Sequence, residues 1–503
     1  MLLLTPSASI IHFKMRTYKN TASMLFNSYH FIFLFLPTTL LMHHGLRRHS
    51  TIAAQILLTM ASLSFYALLD LPHLFVLILS ALVNFGSGKI LSRAAEKSEW
   101  LRTALLTWGI GFNLSLLAGY KYFSFISYTF GWPAFFPDSP IVPLGISFFS
   151  FHQIAYQVDI YRRRFQSAGF QDYLLFVTFF PHLIAGPIIR YQQFVPQLQQ
   201  EKRYAWGAAV FFFSAGLCKK VVLADNLAPI CDRIFLLAKQ SGALPWDEAW
   251  KGALAYGLQI YFDFAGYAEM AIGIGLLFGI ALPLNFASPY RAHSFIEFWR
   301  RWHITLSRFL QDYLYIPLGG NRHGQVRHGA NLLFTMGLAG LWHGAGWTFV
   351  AWGTAHGVLL TVNHFWRSTV GQRLVFPRPL GIVITFTAVT LLWVLFRAES
   401  MQAALFFYQA MIPATPIETA WPPDASSWLT ALQWREWLLV AGGLAVVFGL
   451  RTTAQWAEYH DEEPKKHPSR ISFKHGLAAG AMLLIALKMM AGAPPRSFVY
   501  FVF

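Results

Sequence analysis

One histidine of this sequence stands where a proton-transfer group could act inside an apolar segment. His343 lies between Trp342 and Gly344 in the run LAGLWHGAGWTFVAWGTAHG, residues 338–357. A neutral imidazole can both donate and accept a proton, so this side chain could serve as a general base. Gly344 and Gly346 would also let a substrate approach the backbone closely. A histidine that only hydrogen-bonds within the protein is the competing interpretation, and this segment alone favours it.

A second candidate segment combines aromatic and basic residues. Ser294 and Glu297 form a capping-box pattern, which predicts a helix that begins near Ser294. It would place the tryptophans and a histidine near one face, with arginines on the others. Guanidinium groups suit phosphate, but contact with anionic lipid is the competing interpretation, and the spacing alone favours it. The residues concerned are Trp299, Arg300, Arg301, Trp302 and His303.

Acidic residues inside apolar segments form a third group of candidates. Asp263 and Glu269 lie in YFDFAGYAEMAIGIG, residues 261–275, and Asp159 lies in another apolar run. Charged groups are costly inside a membrane, so each of these three acids is a candidate for a function, such as lining a path for an ion or a lipid. A transporter or channel is therefore a competing class of protein.

Other kinds of chemistry have no support in the sequence. No Walker A, G-x-S-x-G, dinucleotide-binding or HExxH pattern occurs, so the usual signatures of nucleotide hydrolysis, serine hydrolysis and zinc catalysis are missing. Cys218 and Cys231 cannot by themselves build a disulfide framework or a zinc site. We therefore expect no metal cofactor.

The elements that must position these residues are membrane helices. Of the 503 residues, 55% are hydrophobic and only 12% are charged, whereas about a quarter are charged in a typical soluble protein. Apolar runs recur along the chain, and one span needs about 20 such residues. We expect an all-α polytopic membrane protein with roughly 10 to 13 membrane helices. The long runs 252–282 and 330–363 should break, and Gly275–Gly279 and Gly476–Gly480 predict helix packing.

The distribution of charge predicts an orientation rather than a nucleic-acid partner. The net charge is +16, but the basic residues gather between apolar segments, as the positive-inside rule describes. Segments 291–327 and 451–474 are rich in Lys and Arg and should be cytoplasmic. Segments 122–161 and 398–434 contain neither residue and should face outward.

Several segments together resemble the membrane-bound O-acyltransferase (MBOAT) family. The resemblance is to its bacterial branch, which includes the membrane subunit of alginate O-acetyltransferase, peptidoglycan O-acetyltransferase and the D-alanyl transferase of teichoic acids. It covers nearly everything from Met24 to Phe503. One departure is that Ala265 and Ala268 replace hydroxyl residues of a family motif, whereas Asp263 is kept. The segments that carry the resemblance are PLGISFFSFHQIAYQVDIYR (143–162), FPHLIAGPIIR (180–190), FWRRWHITLSRFLQDYLYIPLGGNR (298–322) and LWHGAGWTFVAWGTAHG (341–357).

The resemblance implies a fold, a reaction and roles for residues. The family fold is a ring of membrane helices around a central tunnel with re-entrant segments. His343 matches the catalytic histidine of the family, and His303 matches its second polar position. The implied reaction moves an acyl group, with acetyl favoured, from cytoplasmic acetyl-CoA toward an exported polysaccharide. Arg300 and Arg301, with Trp299 and Trp302 beside them, are the candidates for binding coenzyme A.

The same resemblance implies a location and partners. The protein should be a multi-pass protein of the bacterial inner membrane that works with a periplasmic acetyl-transfer protein. Segment 398–434 is a candidate docking surface for that partner. An alginate-type acceptor is favoured, and peptidoglycan or another glycan is the alternative. An ion or lipid transporter, or a scaffold subunit that has lost activity, also remains open.

The N-terminal segment lacks the long apolar runs of the rest of the chain. Residues 1–23 carry basic residues without a preceding apolar stretch, so they make a poor signal peptide. We expect them to be a non-essential extension and the working protein to begin at Met24, with 24–503 forming a single membrane domain. Intact mass spectrometry of the mature chain tests this expectation, and a mature protein that starts at Met1 would contradict it.

Overall fold

A computed structural model of the chain describes an all-helical protein. The expected extension at 1–23 lies outside the described residues, as do 132–140 of the segment 122–161 and 414–425 of the segment 398–434. Within these residues the structure has no strand, only an isolated antiparallel bridge between Phe286 and Trp302. The described residues are 24–94, 98–131, 141–166, 169–200, 204–240, 244–369, 377–413, 426–459, 472–492 and 495–501.

Six helical ranges of the described chain are long and apolar enough to cross a membrane. They confirm the all-α polytopic architecture. Other apolar runs are divided, because 170–188 yields two short helices, Phe170–Thr178 and Phe180–Leu183, with Pro181 at the start of the second. Such short pieces fit the broken elements expected from the sequence. The six ranges are Thr51–Arg93, Glu99–Phe130, Trp206–Gln240, Trp246–Leu277, Arg378–Arg397 and Phe473–Gly492.

The first of two compact units comprises the described residues within 24–217, 267–283 and 472–501. The π-helical turn Ala118–Tyr122 joins Glu99–Leu117 to Phe123–Phe130, so the chain stays helical between these two helices. Its helices are Leu36–Arg47, Thr51–Asp70, Leu74–Arg93, Glu99–Leu117, Phe123–Phe130, Ile146–Tyr161, Phe170–Thr178, Phe180–Leu183, Tyr191–Gln199, Trp206–Cys218 and Phe473–Gly492.

Polar side chains buried in the first unit bond to one another. The Asn113 side-chain amide donates to Asn84 Oδ1 at 2.7 Å, and the Asn84 amide donates to Gln153 Oε1 at 2.7 Å. Ser80 Oγ donates to the same oxygen of Gln153 at 2.7 Å. These bonds connect three helices, because an apolar environment offers polar groups no other partners.

The second unit comprises the described residues within 218–266 and 284–463. Asp225–Gln240, Met401–Ala410, Ser426–Gly449 and Thr453–Trp456 are also helical in it. Six helices that hold the candidate residues are labelled α1 to α6. They are α1 (Trp246–Leu277, of which 246–266 belong to this unit), α2 (Phe295–Arg301), α3 (Ile304–Leu310), α4 (Gly324–His343), α5 (Trp347–Ser368) and α6 (Arg378–Arg397).

Helices α4 and α5 approach each other closely because glycines face each other. A Cβ at Gly353 would lie 2.1 Å from the Met336 carbonyl oxygen, and one at Gly340 would lie 2.2 Å from the Phe349 carbonyl oxygen. Small residues let two backbones come together in this way in membrane proteins. The contact fixes the end of α4, where His343 lies.

Two expectations about the long apolar runs have different outcomes. The run 330–363 does break, between the end of α4 at His343 and the start of α5 at Trp347. The run 252–282 does not break, because α1 continues unbroken for 32 residues to Leu277. At ~1.5 Å per residue, α1 is roughly 48 Å long, so it exceeds a ~30 Å hydrocarbon core.

The two GxxxG spacings do not pack helices together in the described chain. Helix α1 ends at Leu277, and Gly279 has a positive φ of 68° in the turn that follows. A Cβ at Gly476 or Gly480 would meet no atom within 4 Å. The expectation of helix packing is therefore wrong for the first pair, and no described residue packs closely against the Cβ positions of the second pair.

The segment 398–434, expected to face outward, is partly helical. Met401–Ala410 forms a helix whose N-cap, Ser400, accepts a hydrogen bond from the Ala403 N–H at 3.1 Å. Glu399 is paired with Lys239 at 2.5 Å. The segment is therefore anchored at its start, and 414–425 lie outside the described residues.

We predict that Gly353→Ala lowers the stability of the protein. The added methyl group would overlap the Met336 carbonyl, and overpacking of this kind typically costs ~1–3 kcal/mol. Thermal unfolding in detergent measures the effect. Gly442→Ala is the matched control, because a Cβ there meets no atom within 4 Å. A Gly353→Ala protein as stable as this control would contradict the packing argument.

Candidate active site

His343 ends α4 inside a group of aromatic rings. Only 4% of the residue is exposed. Its imidazole lies edge-on to Trp352 of α5, with 5.2 Å between ring centroids, and contacts Phe396 of α6 at 5.2 Å. Trp342 lies at 4.7 Å. Three helices thus position this histidine, which could not be inferred from its own segment.

The glycine that follows His343 serves packing rather than access. A Cβ at Gly344 would lie 2.2 Å from the Phe349 ring, so Phe349 occupies the space that we had expected a substrate to use. Gly346 has only ordinary contacts, the nearest at 3.6 Å to the same ring. The expectation for Gly344 is therefore wrong.

His303 lies at a break in the helix predicted for this segment. Ser294 Oγ accepts a hydrogen bond from the Glu297 N–H at 3.3 Å, which confirms the predicted helix start. The helix ends at Arg301, however, and a second one begins at Ile304. His303 between them has a left-handed backbone with φ of 41°. The expectation of one continuous helix is therefore wrong.

Backbone pairing explains this break. The Ala287 N–H donates to the Arg301 carbonyl at 3.0 Å, and the Ile304 N–H donates to the Asn285 carbonyl at 3.0 Å. Residues on either side of His303 thus bond to one extended segment instead of continuing a helix. Long-range pairing of this kind overrides the local helical pattern.

The rings of His303 and His343 both contact the ring of Trp342. His303 is fully buried, and its ring is 6.3 Å from the Trp342 ring, whereas the His343 ring is 4.7 Å from it. Phe264 of α1 meets the His303 ring edge-on at 4.7 Å. The fold therefore brings together two imidazoles that are 40 residues apart in the sequence.

The aromatic and basic candidates divide into buried and exposed residues. Trp299 and Trp302 are 7% and 1% exposed, so their rings build the interior rather than a ligand surface. Arg301 donates to Glu297 Oε1 at 2.5 Å, which commits it to an ion pair within α2. Arg300 is exposed. Of the four residues, Arg300 alone combines a charge with an exposed side chain.

Glu297 is held in its ionised form by its neighbours. Burial opposes this form, but the backbone N–H of His293 donates to its carboxylate at 2.8 Å. The Arg301 guanidinium acts in the same direction, so the pKa of Glu297 is below its usual value. The Glu297–Arg301 pair therefore persists at neutral pH and stabilises α2.

A third histidine at this place was missed from the sequence. His356 of α5 is fully buried, and its Nδ1 accepts a hydrogen bond from Trp299 Nε1 at 3.3 Å. Its ring is 4.9 Å from Trp352, which also contacts His343. The signal was the four-residue spacing of Trp352 and His356, which places both on one helix face.

Asp263 belongs to an ion pair. It is fully buried in α1 and lies 2.6 Å from Lys220 Nζ, which also contacts Asp225 at 2.7 Å. Asp159, in the other unit, is paired with Arg164 at 3.0 Å. These acids are charge-compensated by the protein itself, which weakens their interpretation as ion-conducting groups.

An open cavity of about 550 Å³ lies beside the extended segment that pairs with the His303 region. Leu284, Phe286 and Ala287 of that segment line it. Arg291 also lines it but donates to the Val447 and Leu450 carbonyls at the end of a helix. Arg451 brings a second guanidinium to the same wall.

Within the described chain, no cluster of three or more His, Cys, Asp or Glu could hold a metal ion, and Cys218 and Cys231 are not joined by a disulfide bond. The groups that the structure offers for chemistry are the buried imidazoles of His303, His343 and His356.

Comparison with known families assigns the chain to a class. Residues 7–404 match the model of the membrane-bound O-acyltransferase family, MBOAT. The chain belongs to this family and is a multi-pass membrane O-acyltransferase. The resemblance noted in the sequence is thereby confirmed.

Three relatives show which part of the family is similar. The chain is 39% identical to the peptidoglycan O-acetyltransferase of Helicobacter pylori, over 77% of this chain and 80% of the relative. It is 39% identical to the probable alginate O-acetylase AlgI of Azotobacter vinelandii, over 77% of this chain and 78% of the relative. The teichoic acid D-alanyltransferase of Streptococcus thermophilus is 28% identical, over 50% of this chain and 68% of the relative.

Proposed function

We propose that this O-acyltransferase transfers an acetyl group from cytoplasmic acetyl-CoA for the O-acetylation of an exported polysaccharide, with an alginate-type acceptor favoured. The observation that carries the proposal is the placement of His303 and His343 against Trp342, at 6.3 and 4.7 Å, in a chain 39% identical to two glycan O-acetylating relatives. Peptidoglycan is the alternative acceptor, because both kinds of relative are equally similar.

The transfer step needs a base and a route for one proton. The hydroxyl oxygen of the acceptor forms a bond to the thioester carbonyl carbon, and His343 accepts the proton of that hydroxyl. The carbon–sulfur bond then breaks, and the imidazolium returns the proton to the departing thiolate of coenzyme A. General base catalysis of this kind contributes about 10²–10⁴ to a rate. His303, beside the same tryptophan, orients the substrate.

The acyl donor carries phosphates that require a cation. Arg300 is the candidate, because it is exposed whereas Arg301 is bound to Glu297. Arg451, at the wall of the 550 Å³ cavity, is a second candidate and lies in the other segment expected to be cytoplasmic. Trp299 and Trp302 support these groups through packing rather than by contact with coenzyme A.

We further place the protein in the bacterial inner membrane, with acetyl groups handed to a periplasmic protein that completes the transfer. The 398–434 segment is the proposed docking surface, since it contains no Lys or Arg and is therefore expected outside. Anionic lipid would contact the remaining basic residues of 291–327.

We predict that His343→Ala folds and inserts normally but abolishes acetylation. Loss of the base should lower thiol release from acetyl-CoA by about 10²-fold or more. Release of free coenzyme A thiol by purified protein measures activity in vitro, and acetate ester on the exported polymer measures it in cells. The ester also identifies the acceptor.

His49→Ala is the matched control, because His49 is exposed and belongs to the other unit. Polymer acetylated at the wild-type level by His343→Ala would contradict the assignment. Wild-type protein that releases no thiol would contradict acetyl-CoA as the acyl donor.

We predict that Arg300→Gln raises the KM for acetyl-CoA by roughly tenfold, the value of one charge-assisted hydrogen bond of ~1.5 kcal/mol. Steady-state thiol release gives KM and kcat separately, and kcat should change little. Arg322→Gln, which removes another exposed arginine of the same segment, is the control. An unchanged KM would indicate that Arg300 contacts only lipid.

A further inference from the structure

The side-chain oxygen of Asn285 lies within hydrogen-bond distance of three nitrogen or oxygen atoms, two of Thr305 and one of His303. It lies 2.6 Å from Thr305 Oγ1, 3.3 Å from the Thr305 backbone nitrogen and 3.3 Å from His303 Nδ1. Asn285 and His303 are both essentially fully buried, at 1% and 0% exposed. No sequence pattern assigned Asn285 to the candidate site.

These contacts determine which nitrogen of His303 carries a proton. The Thr305 backbone N–H can only donate, so the atom of Asn285 that faces it is the oxygen rather than the amide nitrogen. The same oxygen can only accept from His303 Nδ1. A neutral His303 therefore carries its proton on Nδ1 and presents a lone pair at Nε2.

The Nε2 atom of His303 is buried and has no hydrogen-bond partner among the described residues. The left-handed backbone of His303, with φ of 41°, is uncommon for a residue other than glycine and carries strain. Strain of this kind persists where the surrounding structure over-determines it. Asn285 supplies that support twice, through its side chain and through its carbonyl, which accepts from the Ile304 N–H at 3.0 Å.

We propose that Asn285 is a positioning residue that fixes the tautomer of His303 and makes Nε2 a hydrogen-bond acceptor for an N–H or O–H group of a substrate. The inference rests on the proposed acyl transfer and narrows the role of His303 in it. A neutral His303 in this tautomer cannot polarise the thioester carbonyl, because Nε2 has no hydrogen to donate. It holds an amide N–H of the acyl donor or the hydroxyl of the acceptor.

Two substitutions at Asn285 separate its acceptor oxygen from its size. Asn285→Leu keeps the volume but removes the acceptor, so His303 loses its fixed tautomer and kcat should fall by roughly 10²-fold or more, since positioning and tautomer control of a catalytic histidine reach this size. Asn285→Asp keeps an oxygen that accepts all three hydrogen bonds. It should retain kcat to within about tenfold of wild type at its optimum pH.

The pH profile distinguishes positioning from a merely structural role. A carboxylate at 285 stabilises the imidazolium of His303, so Asn285→Asp should lose activity at a higher pH than wild type as the pH falls. A protonated Nε2 cannot accept a hydrogen bond, so a more stable imidazolium moves the loss of activity to a higher pH. An unchanged acid limb would overturn the proposal, even if Asn285→Leu failed to fold.

Asn331→Leu is the matched control. Asn331 is buried in α4, and its amide donates to the Gly320 carbonyl at 2.8 Å. The control loses a buried hydrogen bond as Asn285→Leu does, but its kcat should stay within about twofold of wild type, because no residue of the site loses a partner.

Thiol release from acetyl-CoA by full-length protein in detergent is the assay for all four proteins. A raised KM for acetyl-CoA in Asn285→Leu, together with the fall in kcat, would identify an amide of the acyl donor as the group bound. A fall in kcat alone would identify the acceptor hydroxyl. Wild-type kcat in a folded Asn285→Leu protein would overturn the inference, whereas an inactive wild type would overturn the proposed function instead.

Discussion

A polar group buried in an apolar protein must find its partner within the chain, and the rest of this structure depends on that constraint. Asn84, Asn113 and Gln153 meet it through amide hydrogen bonds. Lys251 meets it through Glu248 and Glu436, at 2.5 and 2.8 Å. Breaking such a buried ion pair typically costs about 3–5 kcal/mol, so these contacts tie distant helices to one another.

The same constraint separates structural polar groups from candidate chemical ones. Lys220 is compensated by Asp263 and Asp225, which leaves little reason to assign those acids to transport. The surroundings of the two histidines differ from those of the acids. The His343 ring lies among aromatic rings, and His303 is hydrogen-bonded through one nitrogen only among the described residues. Groups that could move a proton are thus set apart from groups that neutralise charge, and this division supports acyl transfer over ion conduction.

The membrane class, the helix break between α4 and α5 and the start of α2 could be predicted from the sequence, because each follows from local composition or a local motif. The break at His303 could not, since it depends on pairing with residues 285–287. The burial of Trp299 and Trp302 was missed for the same reason. The role of Gly344 depended on Phe349, whose ring position is a tertiary contact. His356 and Asn285 carry no motif of their own, so only the fold reveals them.

The break at His303 also sets up a steep change of environment along the chain. Arg300 is exposed, whereas His303, three residues later, is fully buried, and a continuous helix would have placed the two on nearly the same side. Because α2 ends at Arg301, the Arg300 guanidinium is exposed while the His303 imidazole lies near Trp342 in the interior. A ligand with an anionic end and a reactive apolar end matches this arrangement, because each end meets the environment that it requires. The proposed acyl-coenzyme A donor is such a ligand, and a simple ion is not.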